Sequence, residues 1–361
     1  MQKYRVIGMM SGTSVDGLDI AYCEISTDKW EKADFSLLAS RMIPYPENLK
    51  RSLIESISLP GQQLTYLDIE LGEWIGDQLV SFISDNAISR CLVASHGHTV
   101  FHQPEKKFTL QIGNGQVIHR KTGFPVIYDF RVLDVCYGGQ GAPLVPIGDE
   151  LLFSEYDFCL NLGGFANVSY NNGKRRAFDI GAVNIVLNEL TSIIHSPYDE
   201  NGNIARGGNL IHNLNEELHQ IPFYNTPPPK SIGKEWVEQK VMPVINKFIK
   251  NNPVEDIIST FTTHTGEIIA KTIYNLCTEN KLDPTVFTCG GGSHNSFLLE
   301  VIESNLPGGQ MVKPDSKIID FKEAIVFGLM GVLRSLGLPN CLMSVTGASK
   351  DSSGGIIIGE L

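Results

Sequence analysis

The chain has 361 residues, 42% of them hydrophobic and 19% charged, and carries a formal net charge of −11. Its length suggests about two domains at roughly 150 residues each, and its acidity excludes general nucleic-acid binding, because no broad basic surface would neutralise phosphates. No apolar run approaches the ~18 residues of a membrane span, no secretory leader is recognisable, and seven cysteines without a CxxC pair fit reduced thiols in a cytoplasm.

Strand-like runs open the chain at residues 4–9, 18–25 and 36–42, and helical patterns follow at about 47–58 and 63–86. Residues 91–95 and 108–112 read as strands, 113–122 as the start of a helix and 125–128 as another strand. A stretch rich in glycine and proline, 131–146, marks the domain boundary. The order then repeats. Strands are expected at 157–162, 166–170 and 175–178, with Asn171-Asn172-Gly173 as a hairpin turn. Helices are expected at about 183–195, 208–220, 234–249 and 253–278, a strand at 286–289, and helices starting near Ser293 and Asp320. This coarse duplication implies two α/β domains, 1–150 and 151–361, facing a central cleft, with the last ~20 residues free to pack back on the first.

Three glycine turns follow apolar strands. The first runs Gly12-Thr13-Ser14-Val15-Asp16-Gly17-Leu18-Asp19, the second is Gly163-Gly164 with Asn167 close behind, and the third is Gly290-Gly291-Gly292. Glycine lets backbone N–H groups approach an anion, and hydroxyls add donors. An aspartate beside a phosphate is repulsive unless a cation lies between, so Asp16 and Asp19 point to magnesium. The plain alternative is an ordinary hairpin. Other nucleotide motifs fail: there is no GxxxxGK[ST], and Gly113-Asn114-Gly115 lacks the third glycine of a dinucleotide fingerprint.

The order of two phosphate turns and an adenosine turn resembles the actin, hexokinase and acetate kinase superfamily. Within it, eight phrases in order, among them GMMSGTSVDGLDIA, SHGHTVFHQP, DFRVLDVCYGGQGAPLVP, NLGGFANVS, FDIGAVN and CGGGSHN, are similar to the anhydro-N-acetylmuramic acid kinases. The resemblance implies two actin-like ATPase (ribonuclease H-like) domains. It implies ATP-dependent phosphorylation of 1,6-anhydro-N-acetylmuramic acid with hydrolytic opening of the anhydro ring, giving N-acetylmuramic acid 6-phosphate in peptidoglycan recycling. ATP and magnesium would sit on the three glycine turns. The partners expected are the sugar and ATP, with a homodimer compatible and neither nucleic acid nor membrane involved.

The resemblance also assigns residues. Asp179 would be the base that activates water; the bland reading is an N-cap for the following helix. Glu323 is a second catalytic candidate, against a reading as a first-turn glutamate favoured by the helix dipole. Arg131 would meet the sugar's lactyl carboxylate, against a salt bridge to Asp129 or Asp134. Ser95, His96, Thr99 and Asn184 complete the substrate-binding set. The family commonly reads FDTGPGN where this chain has Phe178-Asp179-Ile180-Gly181-Ala182-Val183-Asn184, which puts the exact sugar in question. Two other classes stay open: a nucleotide-gated, peptide-binding ATPase of the same superfold, and a zinc hydrolase using His96, His98 and His102.

Overall fold

The computed structural model describes residues 2–12, 15–277 and 283–361. The chain divides into two compact units, Met1–Ser154 with Phe321–Leu361, and Glu155–Asp320. The first unit holds β1 (Gln2–Ser11), β2 (Gly17–Lys29), β3 (Lys32–Pro44), β4 (Leu92–Ser95), β5 (His98–Gln103), β6 (Phe108–Ile112) and β7 (Val126–Tyr128). The second holds β8 (Phe158–Leu162), β9 (Phe165–Asn171), β10 (Arg175–Ala182), β11 (Thr285–Cys289) and β12 (Gln310–Val312), after which the chain adds β13 (Ile356–Ile358) to the first.

The main sheets run β13-β7-β4-β1-β2-β3 and β10-β9-β8-β11-β12, with β5 and β6 forming a separate pair. Each main sheet contains an antiparallel meander of three strands, and its first strand then pairs in parallel with the start of the unit's second half. Short turns suffice for the meander, whereas the parallel strands need helical crossovers. This shared order is the actin-like, ribonuclease H-like domain, present twice.

In the first unit the crossover helix Gly61–Asp85 buries Leu64, Leu67, Leu71, Ile75, Leu79 and Phe82, a stripe at three- and four-residue spacing. It covers the Leu18, Ile20 and Tyr22 face of β2. On the first sheet also lies the helix Ser316–Ser335, whose apolar run Ala324–Leu333 is buried. Contact there is close because of glycine. A Cβ on Gly8 of β1 would lie 1.9 Å from the Ala324 carbonyl oxygen, and one on Gly331 would lie 2.6 Å from the Ala94 Cβ on β4. Among the described residues no helix is long and apolar enough to cross a membrane.

The differences from the sequence reading are local. The segment that returns to the first unit begins at Phe321 rather than in the last ~20 residues, because this helix is seated on β1. Strands β12 and β13 have three residues each, too few to show a period, and β5 carries two histidines where apolar residues would alternate. The expected helix over 234–249 is broken by a wide turn at Val237–Val241. Pro243, two residues beyond it, has no N–H for the regular ladder, and the extra residue per turn absorbs the mismatch.

Because the atom facing Gly8 is backbone, Gly8→Ala is expected to lower the unfolding free energy by about 1–3 kcal/mol, the usual scale of overpacking. Urea denaturation of the two proteins measures it; equal midpoints would mean that the helix does not rest on Gly8.

Candidate active site

The second unit gathers the later two glycine turns. Gly163-Gly164 joins β8 to β9, and its carbonyls accept the amides of Val183, Asn184 and Ile185 at 2.8–3.3 Å. The turn therefore caps the helix Asn184–Ile193, which lacks a side-chain cap. Gly290, at φ +79°, and Gly292 press on β8: a Cβ would lie 2.5 Å from Asn161 Oδ1 and 2.8 Å from Leu162 Cβ respectively. Gly163, Gly164 and Gly291 differ. None has a left-handed φ, and an added Cβ would meet nothing closer than 3.6, 3.8 and 3.9 Å. The fold's own packing does not require glycine at these three positions. Their bare backbone suits close approach by a ligand.

Beside Gly291 and Gly292 opens a pocket of about 500 Å³, lined also by Asn184, Tyr198, Asn201 and His294. That volume is in the range of small-molecule sites. Asn184, expected among the substrate-binding residues, thus lies with the third glycine turn, its Nδ2 donating to Leu162 O at 3.3 Å. His294 Nε2 is 3.0 Å from Asp320 Oδ1. Tyr198 and Asn201 lie on a loop without a sequence signal, located here by contact alone.

Asp179 is not at a strand end, as the sequence suggested, but inside β10, facing Asn167 of β9. The register slips between Asp179 and Gly181, a β-bulge. Bulges re-aim side chains and recur beside active sites. Nor is Asp179 an N-cap: Val183 holds that position. Instead Asp179 Oδ2 accepts from Ser231 Oγ at 2.7 Å and from the Ile232 amide at 3.0 Å. Burial raises its pKa above the ordinary 3.8, and these two hydrogen bonds pull it down in part. Sequence reasoning missed Ser231 and Ile232, which lie some fifty residues further along the chain, just beyond Pro227, Pro228 and Pro229.

Three residues of FDIGAVN that depart from the family's phrase, Ile180, Ala182 and Val183, are buried at 1%, 2% and 0% exposure in the second unit's hydrophobic core. An apolar residue in place of threonine at 180 therefore answers to the core, not to a ligand.

In the first unit, Thr13 and Ser14 of the opening turn lie outside the described residues. Val15 has φ +56° and donates its amide to Gly12 O at 3.2 Å. A β-branched residue rarely adopts this conformation, and such strain clusters at functional turns. Its side chain and that of Leu18 are buried in the core, so both can meet a ligand only through backbone. Asp16 is exposed, and Gly17 fits closely under β3, where a Cβ would lie 2.4 Å from Ile43 O. Asp19 is half-buried on β2, and its charge helps raise the pKa of Tyr45, which burial pushes up to about 12. The Tyr45 hydroxyl donates to Ser11 Oγ at 2.7 Å, and Ser11 Oγ is 3.4 Å from His98 Nδ1.

Beyond β4 the buried His96 has both ring nitrogens engaged, Nδ1 at 2.8 Å from Gly97 O and Nε2 at 2.8 Å from Arg131 Nε. Arg131 Nη1 donates to Gly141 O at 2.6 Å. Arg131 pairs with neither Asp129 nor Asp134. Asp134 is fully buried and accepts from Gly141 N and Thr346 Oγ1, both at 2.8 Å. Glu323 stands more than one turn beyond the helix start at Ser316, too far for the first-turn dipole effect. Its side chain reaches solvent. Even so, the surrounding protein raises its pKa, while the charges of Arg131 and Lys322 oppose that rise. Ser95 is buried at 1% with no hydrogen-bond partner for its hydroxyl, and Thr99 Oγ1 accepts from Gln111 Nε2 at 3.3 Å.

The histidines do not form a zinc site. Among the described residues no three His, Cys, Asp or Glu side chains converge as metal ligands. His102 instead meets Thr109 Oγ1 at 3.1 Å.

The family model for anhydro-N-acetylmuramic acid kinase matches residues 4–360. The chain is 35% identical to the anhydro-N-acetylmuramic acid kinase of Shewanella putrefaciens, over 98% of each chain. It is 34% identical to the Haemophilus influenzae protein of the same name, over 99% of this chain and 98% of that one. It is 32% identical to the one from Sulfurimonas denitrificans, over 97% of this chain and 98% of that one.

With Ile180 in the core, Ile180→Thr is expected to lower stability by about 1–3 kcal/mol, the cost of burying an unmatched hydroxyl. Thermal or urea unfolding measures this. An unchanged midpoint would place the side chain outside the core and return it to the site.

Proposed function

The chain belongs to the anhydro-N-acetylmuramic acid kinase family, and on that premise we propose that it uses ATP to convert 1,6-anhydro-N-acetylmuramic acid into N-acetylmuramic acid 6-phosphate and ADP, in peptidoglycan recycling. The observation that carries this reading is Asp179, a half-buried carboxylate on a bulge, held by Ser231 and the Ile232 amide, with its pKa raised. A carboxylate made more basic than usual suits a general base.

In the proposed reaction Asp179 takes a proton from water as the water oxygen bonds to the anomeric carbon. The bond from that carbon to the 6-oxygen breaks, and the freed 6-oxygen accepts the γ-phosphoryl group, releasing ADP. Water activation by one carboxylate follows the logic of an inverting glycosidase. The phosphoryl step is mainly positioning and charge stabilisation. Glu323 is the second carboxylate, suited to orienting water or sugar. Arg131 is the guanidinium for the lactyl carboxylate, supported by its charge and by its lack of a salt bridge to Asp129 or Asp134.

For ATP, the bare backbones at Gly163, Gly164 and Gly291 and the pocket beside His294 support a phosphate turn and a nucleoside site. The opening turn, Gly12 to Asp19, is the first phosphate turn. Magnesium takes few protein carboxylates and keeps its waters and phosphate oxygens. Asp19, half-buried at that turn, and the exposed Asp16 are oxygen donors of that kind. When bound, the ion would offset phosphate charge. A cytoplasmic setting accords with seven free cysteines and with ATP as a substrate. The second reading is the same chemistry on another anhydro or amino sugar; the burial of Ile180, Ala182 and Val183 weighs against it.

Four outcomes test this. ADP release should depend on the anhydro sugar, with a product heavier by one phosphate and one water; release stimulated by a peptide and indifferent to sugar would replace the reading. Asp179→Asn should keep ATP affinity and lower turnover by about 10²-fold or more. In the parent, kcat/KM should fall as pH drops through a value above 3.8, because the base must be ionised. Gly164→Ala should unfold at the same midpoint, since its Cβ meets nothing closer than 3.8 Å, yet weaken ATP binding about tenfold or more. Unaltered ATP affinity in calorimetry would remove the second turn from the nucleotide site.

A further inference from the structure

We propose that His96 is the positioning residue of Arg131: a neutral imidazole, protonated at Nδ1, accepts the guanidinium Nε–H and turns the opposite edge of the guanidinium toward the carboxylate of the sugar. The inference rests on the reading of Arg131 as the group that meets that carboxylate.

The tautomer follows from the partners. A backbone carbonyl only accepts, so Nδ1, 2.8 Å from Gly97 O, carries the proton. A guanidinium only donates, so Nε2, 2.8 Å from Arg131 Nε, is bare. Protonating Nε2 would set two donors face to face. Burial and the Arg131 charge hold the ring pKa well below 6.5, so the neutral form persists. The ring is fixed from the other side by Phe327, at 4.6 Å between centroids. Gly97 makes the bend that brings its carbonyl to Nδ1. It has φ +73°, and a Cβ there would lie 2.4 Å from Ile112 O.

Arg131 is thereby held at two of its three nitrogens. Nε is committed to His96, and one Nη1 hydrogen to Gly141 O at 2.6 Å. Gly141 is itself pinned through its amide to the fully buried Asp134. The donors left among the described residues are Nη2 and the second Nη1 hydrogen. These hydrogens remain for a carboxylate, which can accept at both of its oxygens. Glu323 acts on Arg131 through charge without a hydrogen bond, so it does not occupy that edge. Lysine in place of Arg131 would have neither the Nε contact nor the fork.

The experiment compares the parent, His96→Leu, His96→Gln, Arg131→Ala and the His96→Leu/Arg131→Ala double variant in sugar-dependent ADP release. Leucine removes the acceptor, whereas glutamine can place Oε1 near the Nε2 position. His96→Leu should raise the sugar KM about tenfold or more while the KM for ATP stays within about twofold. His96→Gln should recover most of the loss. The double variant should be no worse than Arg131→Ala, as expected when one residue acts only through the other. An unchanged sugar KM in His96→Leu, or losses that multiply in the double variant, would overturn the proposal. A second readout needs no turnover: ¹⁵N NMR of the histidine rings should show His96 as the Nδ1–H tautomer. An Nε2–H or doubly protonated ring would sink the idea. Failure of the kinase reading itself is seen separately, as a parent protein that releases no ADP in response to the sugar.

Discussion

Much of the first unit depends on one close approach, the seating of the helix Ser316–Ser335 against β1 at Gly8. A side chain on Gly8 would collide with the helix backbone at Ala324, so only glycine lets the helix lie this low. Three consequences follow from that seating. Lys322 reaches Asp149 in a buried ion pair at 2.6 Å. Glu323 comes within electrostatic range of Arg131. Phe327 packs against both His96 and Phe130. A buried ion pair adds little net stability, because desolvating two charges offsets most of their attraction. Breaking it would leave a buried charge unpaired, so it fixes the helix's position more than it strengthens the fold.

Around Arg131 the same economy recurs. Asp134 holds Gly141 and Thr346, Gly141 holds Arg131, and His96 holds it again from the far side. A flexible cation becomes a fixed one through hydrogen bonds to neighbouring protein groups. In the second unit Asp179 is treated likewise, by a bulge in β10 and a loop fifty residues away. Preorganisation of this kind matters for a reaction whose steps are largely positioning, because reacting groups must be held in place before charge develops.

The sequence displayed the duplicated meander, since three-strand hairpins have short turns with glycine and asparagine and their apolar runs are long. It displayed the long helices, whose periodic stripes repeat over many turns. It did not display β12 and β13, whose three residues carry no period, or the wide turn ahead of Pro243. Of the candidate residues, the glycine turns and Asp179 were singled out by motif. The reasons behind them were not: the motif says glycine at 163, 164, 290, 291 and 292 alike, whereas packing requires it only at 290 and 292. The departures at Ile180, Ala182 and Val183 looked like changes in the site and proved to be core residues: Ile180 and Ala182 alternate with Phe178 onto the buried face of β10, and Val183 follows them into the same core.

The sequence by itself determined the family and the order of the longer elements, because those are written in local patterns and in phrases of fixed order. Tertiary structure decided what each of the candidate residues can do. Whether Arg131 pairs with a nearby aspartate or with His96 and Gly141, and whether Asp179 caps a helix or is held by Ser231 and Ile232, depend on partners distant in the chain. Hydrogen bonding and burial are set by neighbours in space, and one sequence read along its length does not contain them.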